Sequence, residues 1–227
     1  MPYPDRFYPV VDSVAWVARL AALGVGTIQL RMKNLAPDEA VATVRAALQA
    51  VAGTAVKLVV NDWWQAAIAA GAAHVHLGQE DLVDADVTAI RRAGLTLGLS
   101  THDDAELDNA LRHDPDYVAL GPIYPTTLKV MRFAPQGLAR ITEWKRRIGR
   151  TPLVTIGGIS LERAPAVFAA GADSIAVVSD VTQNSDPEGR VRDWLELTNR
   201  PRQFDPDQTS PTRRANARLP PPLAGEG

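Results

Sequence analysis

Two carboxylates, Asp62 and Asp81, each close a short apolar run with an amide nearby, in Val59-Val60-Asn61-Asp62 and Leu77-Gly78-Gln79-Glu80-Asp81. Between the runs lies an Ala-rich helical segment that ends at the breaker Gly71. A strand, helix, strand crossover makes its two strands parallel, so both acids emerge at the same carboxyl edge. That edge is where parallel α/β sheets bind ligands. Such hard oxygen donors suit Mg²⁺, which takes one or two carboxylates and completes its shell with water and substrate phosphates. Either acid alone also reads as a turn or helix N-cap residue. It is the matched pair that points to a metal.

A cationic partner to this corner stands in Gln29-Leu30-Arg31-Met32-Lys33, which alternates with period two and puts Gln29, Arg31 and Lys33 on one face. If Leu30 and Met32 meet surrounding helices, the amide and the two cations line an interior mouth, where unpaired charge is costly. A metal-bridged phosphate or diphosphate would satisfy both signs. A solvated edge strand or an internal ion-pair network is the alternative. The same phase turns His74, His76 and Gly78, then Thr96, Gly98 and Ser100, then Ala119 and Gly121 inward. Small and polar residues at those positions leave room for a ligand. His76 and His102 have the chemistry of an acid or base, although a lone strand histidine is more often a hydrogen-bonded structural group.

Elements that would position these residues recur along the chain. Strands are expected at 7–11, 27–32, 56–60, 75–77, 96–100, 117–120, 153–156 and 175–178. Helices are expected at 14–23, 38–52, 64–70, 86–93, 104–111, 138–147, 161–170 and 188–198, with Pro165 distorting the first turn of its helix. Ser13 is placed to cap the first helix and Gly24 to end it. Strict alternation of eight units implies a (β/α)₈ TIM barrel in residues 1–199, an α/β fold. An open doubly wound sheet is disfavoured, since no Gly-x-Gly-x-x-Gly follows the first strand. Residues 200–227 carry five arginines and many prolines without apolar periodicity, and read as a disordered tail.

A second anion feature closes the sheet. Ile156-Gly157-Gly158-Ile159 ends the seventh strand and Val178-Ser179 ends the eighth, the positions at which barrels cradle phosphate with backbone amides. A long loop after the sixth strand, from Gly121 to Leu138, carries Thr126, Thr127 and Lys129 among prolines and could close over an anionic substrate. Two phosphorylated small molecules would fit one mouth.

Composition narrows the partners. Hydrophobic content of 46% provides a core, and a formal charge of -2 argues against nucleic acid or a membrane surface. With no cysteine, thiolate metal sites and Cys nucleophiles are excluded. No signal-peptide pattern or membrane span is visible, so a cytoplasmic location is expected. A homo-oligomer stays open.

The motifs QLRMK, VVND, VHLGQEDL, GLSTH, LGPIYPTTLK, APQGL, TIGGI and AVVS, in this order between Tyr8 and about Leu197, resemble the thiamine phosphate synthase family. The resemblance implies a (β/α)₈ barrel that joins an aminopyrimidine methyl diphosphate to a thiazole phosphate, releasing diphosphate. By position it implies that Gln29, Arg31, Lys33 and Asn61 bind the pyrimidine diphosphate and that Asp62 and Asp81 hold Mg²⁺. It further implies that Ser100 contacts the pyrimidine side, Thr126 the thiazole phosphate and Lys129 the diphosphate, while Gly158, Val178 and Ser179 hold the thiazole phosphate. Arg31, Lys33 and Lys129 would be the catalytic cations. Departures from the pattern are Leu128 in place of a threonine, Trp63 and Trp64 where a charged residue is common, and Asp180 where a small residue is usual. A related thiazole tautomerase would need a histidine in the loop region, and none lies beyond His113. A barrel that binds thiazole phosphate without catalysis is the remaining alternative.

Overall fold

The computed structural model describes residues 3–126 and 133–199. The expected tail, and Thr127, Leu128 and Lys129 in the long loop, lie outside these described residues. Eight strands, β1 (Phe7–Val11), β2 (Thr27–Leu30), β3 (Lys57–Asn61), β4 (His74–Leu77), β5 (Thr96–Thr101), β6 (Tyr117–Leu120), β7 (Leu153–Ile156) and β8 (Ser174–Val177), pair in sequence order. All pairings are parallel, and β1 pairs with both β2 and β8, which closes the barrel. The helices are α1 (Val14–Ala22), α2 (Pro37–Ala50), α3 (Trp64–Ala70), α4 (Gln79–Asp84), α5 (Val87–Arg92), α6 (Asp104–Leu111), α7 (Gly137–Ile148), α8 (Ala164–Ala169), α9 (Ser179–Thr182) and α10 (Pro187–Asn199).

The period-two phase read from the sequence sorts the side chains into two cores. Leu30, Val75, Leu77, Leu97, Leu99, Val118 and Leu120 pack outward beneath the helices. Tyr8, Val10, Val59, Tyr117, Ala119, Val154 and Ala176 fill the interior. Each fully buried Leu or Val in the outer layer contributes about 1.5–3 kcal/mol, so this shell fixes the strand register on which the site depends.

Three details differ from the sequence reading. The second strand stops at Leu30, so Arg31 and Lys33 belong to the segment that leaves the barrel. Pro165 occupies the first turn of α8, where no intrahelical N–H is required, and the helix starts at Ala164 without distortion. Two short helices, α4 and α9, follow β4 and β8 directly; with six and four residues they are too short for a helical period to register.

One end of the barrel is plugged. Tyr3 stacks on His74 at 4.8 Å and accepts a hydrogen bond from Thr96 Oγ1 at 3.2 Å. Beside it Asp5 pairs with Lys57 at 3.1 Å and accepts from Thr27 Oγ1 at 2.9 Å. These groups sit at the starts of β2 to β5, which leaves the carboxyl mouth as the face for ligands. Among the described residues no helix is long and apolar enough to cross a membrane.

Candidate active site at the carboxyl mouth

The acidic corner is built by the turn after β3 and by α4. Asp62 has φ 63°, a left-handed conformation that non-glycine residues adopt mainly where surrounding bonds enforce it. Here its N–H donates to His76 O at 2.8 Å while its own carbonyl accepts from Trp64 N at 2.8 Å, which swings the chain from strand into α3. Asp81 lies in the first turn of α4 rather than in a loop. The two side chains share a hydrogen bond. Burial and then the Asp81 charge push Asp62 up from 3.8 to about 6, against an opposing pull from Arg31. A carboxylate pair held this close is poised to share either a proton or a cation.

Around that corner the neighbouring groups take different parts. Arg31 is half-buried, with its N–H bonded to Val11 O at 2.8 Å, and Lys33 is exposed. Trp63, one of the departures noted above, donates from Nε1 to Met32 O at 3.3 Å and so ties the cationic segment to the acidic turn. Asn61 is buried, and its side chain bears on the neighbouring Asp62, pulling that carboxyl down against the effect of burial. Gln79 is engaged otherwise: it donates to Ser100 O at 2.8 Å and accepts from Asn109 at 3.0 Å, so its amide holds α4 against β5. Among the described residues no three His, Cys, Asp or Glu side chains gather as a metal cluster, and a cation at the corner would find two protein carboxylates.

Inside the barrel a chain of polar groups joins opposite walls. Gln29 Nε2 donates to the Tyr8 hydroxyl at 2.8 Å, and Tyr8 meets the Tyr117 hydroxyl at 2.9 Å. His76 Nδ1 lies 2.9 Å from Tyr117, and its Nε2 lies 2.7 Å from Ser100 Oγ. Burial, with the Arg31 charge adding to it, lowers His76 to about 4, so the ring is neutral at physiological pH. Gly98 gives the Tyr117 ring its space, because a Cβ there would collide with it. His102 is bound to Glu106 at 2.7 Å and stacked on Phe133, which marks it as structural.

Across the mouth, Gly157 and Gly158 end β7 with φ 97° and 64°. A Cβ on Gly157 would lie 2.6 Å from Pro122 Cβ, and one on Gly158 would lie 2.5 Å from Pro125 O. Both glycines are therefore required by the close approach of the segment after β6. That segment is stitched down by Ile123 N to Ile156 O at 2.9 Å and Tyr124 N to Gly157 O at 3.0 Å. Thr126 stands at its end, half-buried. Arg163 lies over the Tyr124 ring at 4.5 Å and donates to Gly158 O. Facing the glycines, Val178 precedes α9, in which the Val181 and Thr182 amides already donate to Val178 O at 3.1 and 2.9 Å, so the amides at its start are those of Ser179 and Asp180. The resulting cleft of about 340 Å³ is lined by Gly158, Ile159, Ser160, Ser179, Asp180 and Gln183, among others. The Asp180 carboxylate binds Arg190 at 2.8 Å and Trp194 Nε1 at 2.6 Å, so its charge is neutralised from α10.

A barrel with an acid pair on one side of its mouth and a glycine-lined cleft on the other is matched by sequence comparison. The profile described as thiamine monophosphate synthase matches residues 7–181. The chain belongs to the thiamine monophosphate synthase family. A thiamine-phosphate synthase of Rhizobium etli is 56% identical over 194 residues, covering 86% of this chain and 95% of the relative. Another, from Cronobacter sakazakii, is 52% identical over 198 residues, with 86% and 94% covered. Among solved structures, a thiamine phosphate pyrophosphorylase from Pyrococcus furiosus superposes with a TM-score of 0.75 at 26% identity, covering 85% of this chain and 95% of that one. The stretch matched to the thiamine monophosphate synthase family runs from β1 into α9, so both sides of the mouth fall within it.

Sequence reasoning expected Gln29, Asn61, Asp62, Asp81 and Ser100 at one mouth and Gly158, Val178 and Ser179 at a facing cradle; the structure sets Asp62 beside Asp81 and lines the cleft with Gly158 and Ser179, while Val178 packs against the interior cluster. It did not find Tyr8, Tyr117 or the clamp made by Arg163. Tyr117 shares the inward phase of Ala119, and that phase was the available signal.

Proposed function

We propose that the chain condenses 4-amino-2-methyl-5-pyrimidinylmethyl diphosphate with a thiazole phosphate, giving thiamine phosphate and diphosphate. The observation that carries this reading is the pairing of two anion-complementary features across one mouth: Arg31 with Asp62 and Asp81 on one side, and the glycine and amide cleft on the other. Membership of the thiamine monophosphate synthase family over residues 7–181 supports it.

The chemistry asks little covalent work of the protein. The bond between the pyrimidine methylene and the diphosphate oxygen breaks, the electron pair leaves with diphosphate, and the ring amino group stabilises the cation left on the methylene. The thiazole nitrogen then donates its lone pair to that carbon. Arg31 and Lys33 hold and neutralise the departing diphosphate, an assignment that Lys129 extends from the loop. Gln29, Asn61 and Ser100 orient the pyrimidine end, and Thr126, Gly158, Val178 and Ser179 hold the thiazole phosphate. The acid pair fits Mg²⁺ by its donor chemistry: two carboxylates crowded enough to raise Asp62, with no third His, Cys, Asp or Glu gathered there among the described residues, would leave positions for phosphate oxygens. When bound there, Mg²⁺ supplies charge neutralisation for the leaving group. Catalysis on this reading is positioning plus electrostatics.

The test is diphosphate release by the purified protein with both precursors, with and without Mg²⁺, while thiamine phosphate is measured. Product that depends on Mg²⁺ is expected. Absence of product at saturating precursors and metal overturns the proposal.

A further inference from the structure

We infer that the buried chain Gln29–Tyr8–Tyr117–His76–Ser100 has a fixed polarity, which makes Ser100 a hydrogen-bond donor toward the ligand and Tyr117 a positioning residue for it. The polarity follows from donor accounting. The Gln29 amide nitrogen can only donate, so the Tyr8 oxygen accepts at 2.8 Å. Among the described residues the remaining partner of Tyr8 is Tyr117 at 2.9 Å, and the Tyr8 proton points there. Tyr117, having accepted, turns its own proton to His76 Nδ1 at 2.9 Å. His76 is buried within the barrel, and among the described residues its ring nitrogens meet hydroxyls and no carboxylate, so a cation there would be uncompensated. A neutral ring that accepts at Nδ1 carries its proton on Nε2, which donates to Ser100 Oγ at 2.7 Å. Ser100 has then used an acceptor position, and its hydroxyl proton is free to face the mouth.

The proton of Ser100 therefore calls for a ligand group that accepts, such as an unprotonated heteroaromatic ring nitrogen, while the one lone pair left on Oγ is open to a second contact. This deepens the proposed function and rests on its expectation that Ser100 meets the pyrimidine. The polarity itself is a property of the protein without substrate. No acid or base step is assigned to His76; its ring passes an orientation from one wall to the other.

The experiment is multiple-bond ¹H–¹⁵N NMR of the full chain labelled with ¹⁵N-histidine, with the His76 signals assigned by their loss in His76→Gln. A dominant Nε2–H tautomer is expected in the wild type, and an Nδ1–H tautomer overturns the inference without recourse to any variant. In Tyr117→Phe the donor to Nδ1 is gone, so the tautomer shifts toward Nδ1–H or a mixture; an unchanged wild-type pattern also overturns it. In kinetics the same variant raises KM for the pyrimidine diphosphate by about tenfold, the cost of one misdirected buried hydrogen bond, with KM for thiazole phosphate unchanged. Equal changes in both would mean a merely structural Tyr117. If the wild type makes no thiamine phosphate, the proposed function fails, while the spectrum still decides the polarity.

Discussion

Replacing Asp62 with Asn should make the metal-free protein more stable and nearly inactive. The carboxyl is raised from 3.8 to about 6, so the folded chain holds a proton there that the unfolded chain releases near pH 4. Between those values the folded state binds more protons, and stability falls as pH rises. Above about pH 6 the full penalty of the ionised form is present; below about pH 4 it has vanished. A shift of about two pH units corresponds to roughly 3 kcal/mol at most. Asp62 is partly open to water, and screening reduces the figure to on the order of 1–2 kcal/mol. In a barrel of this size that is about 2–8 °C in Tm. The assay is paired thermal unfolding of wild type and Asp62→Asn in chelator from pH 4 to 8. The gap should open in favour of the variant as pH rises from about 4 to about 6 and stay level above that, and added Mg²⁺ should narrow it by stabilising the wild type alone. A variant no more stable than wild type at pH 7, or a gap that does not change with pH, refutes the picture of two carboxylates forced together.

Other outcomes follow from the same geometry. Arg31→Ala should leave the melting temperature near that of wild type and reduce kcat by about 10²–10³, the loss of one preorganised charge at a leaving group, checked by steady-state diphosphate release. Asp180→Ala should loosen α9 by releasing Arg190 and Trp194, raising KM for thiazole phosphate about tenfold with kcat little changed; titration calorimetry with thiazole phosphate checks the binding arm directly. Gly158→Ala should lower Tm by several degrees and abolish phosphate binding, since the new Cβ meets Pro125 O at a backbone position with φ 64°.

Much of this was legible in the sequence because parallel barrels write two simple signals. Alternation of apolar runs with helical segments gave the eight units, and the period-two phase assigned Gln29, His76 and Ser100 to the interior. What escaped was set by distance in three dimensions. Tyr8 and Tyr117 stand 109 positions apart and meet only when β1 and β6 face each other across the closed barrel. Arg163 acts on a glycine carbonyl and an aromatic ring from the turn before α8, with no motif to mark it. Asp180 read as a misplaced acid beside a phosphate cradle because its partner Arg190 sits ten positions further on. Asp81 was expected at the carboxyl edge as a metal ligand or as a turn or helix N-cap residue; it stands inside the first turn of α4, whose six residues are too few to write a helical period.

The seam between the segment after β6 and the glycines after β7 also bears on how the chain tolerates change. Gly157 is sized by Pro122 and Gly158 by Tyr124 and Pro125, and the backbones are joined at Ile156 and Gly157. To mutation these two stretches are therefore one object. A side chain added on one side is admitted only if the other retreats, so single substitutions along the seam should be rejected where matched pairs survive, and their energies should not add. Variation among relatives at these positions would have to travel in company.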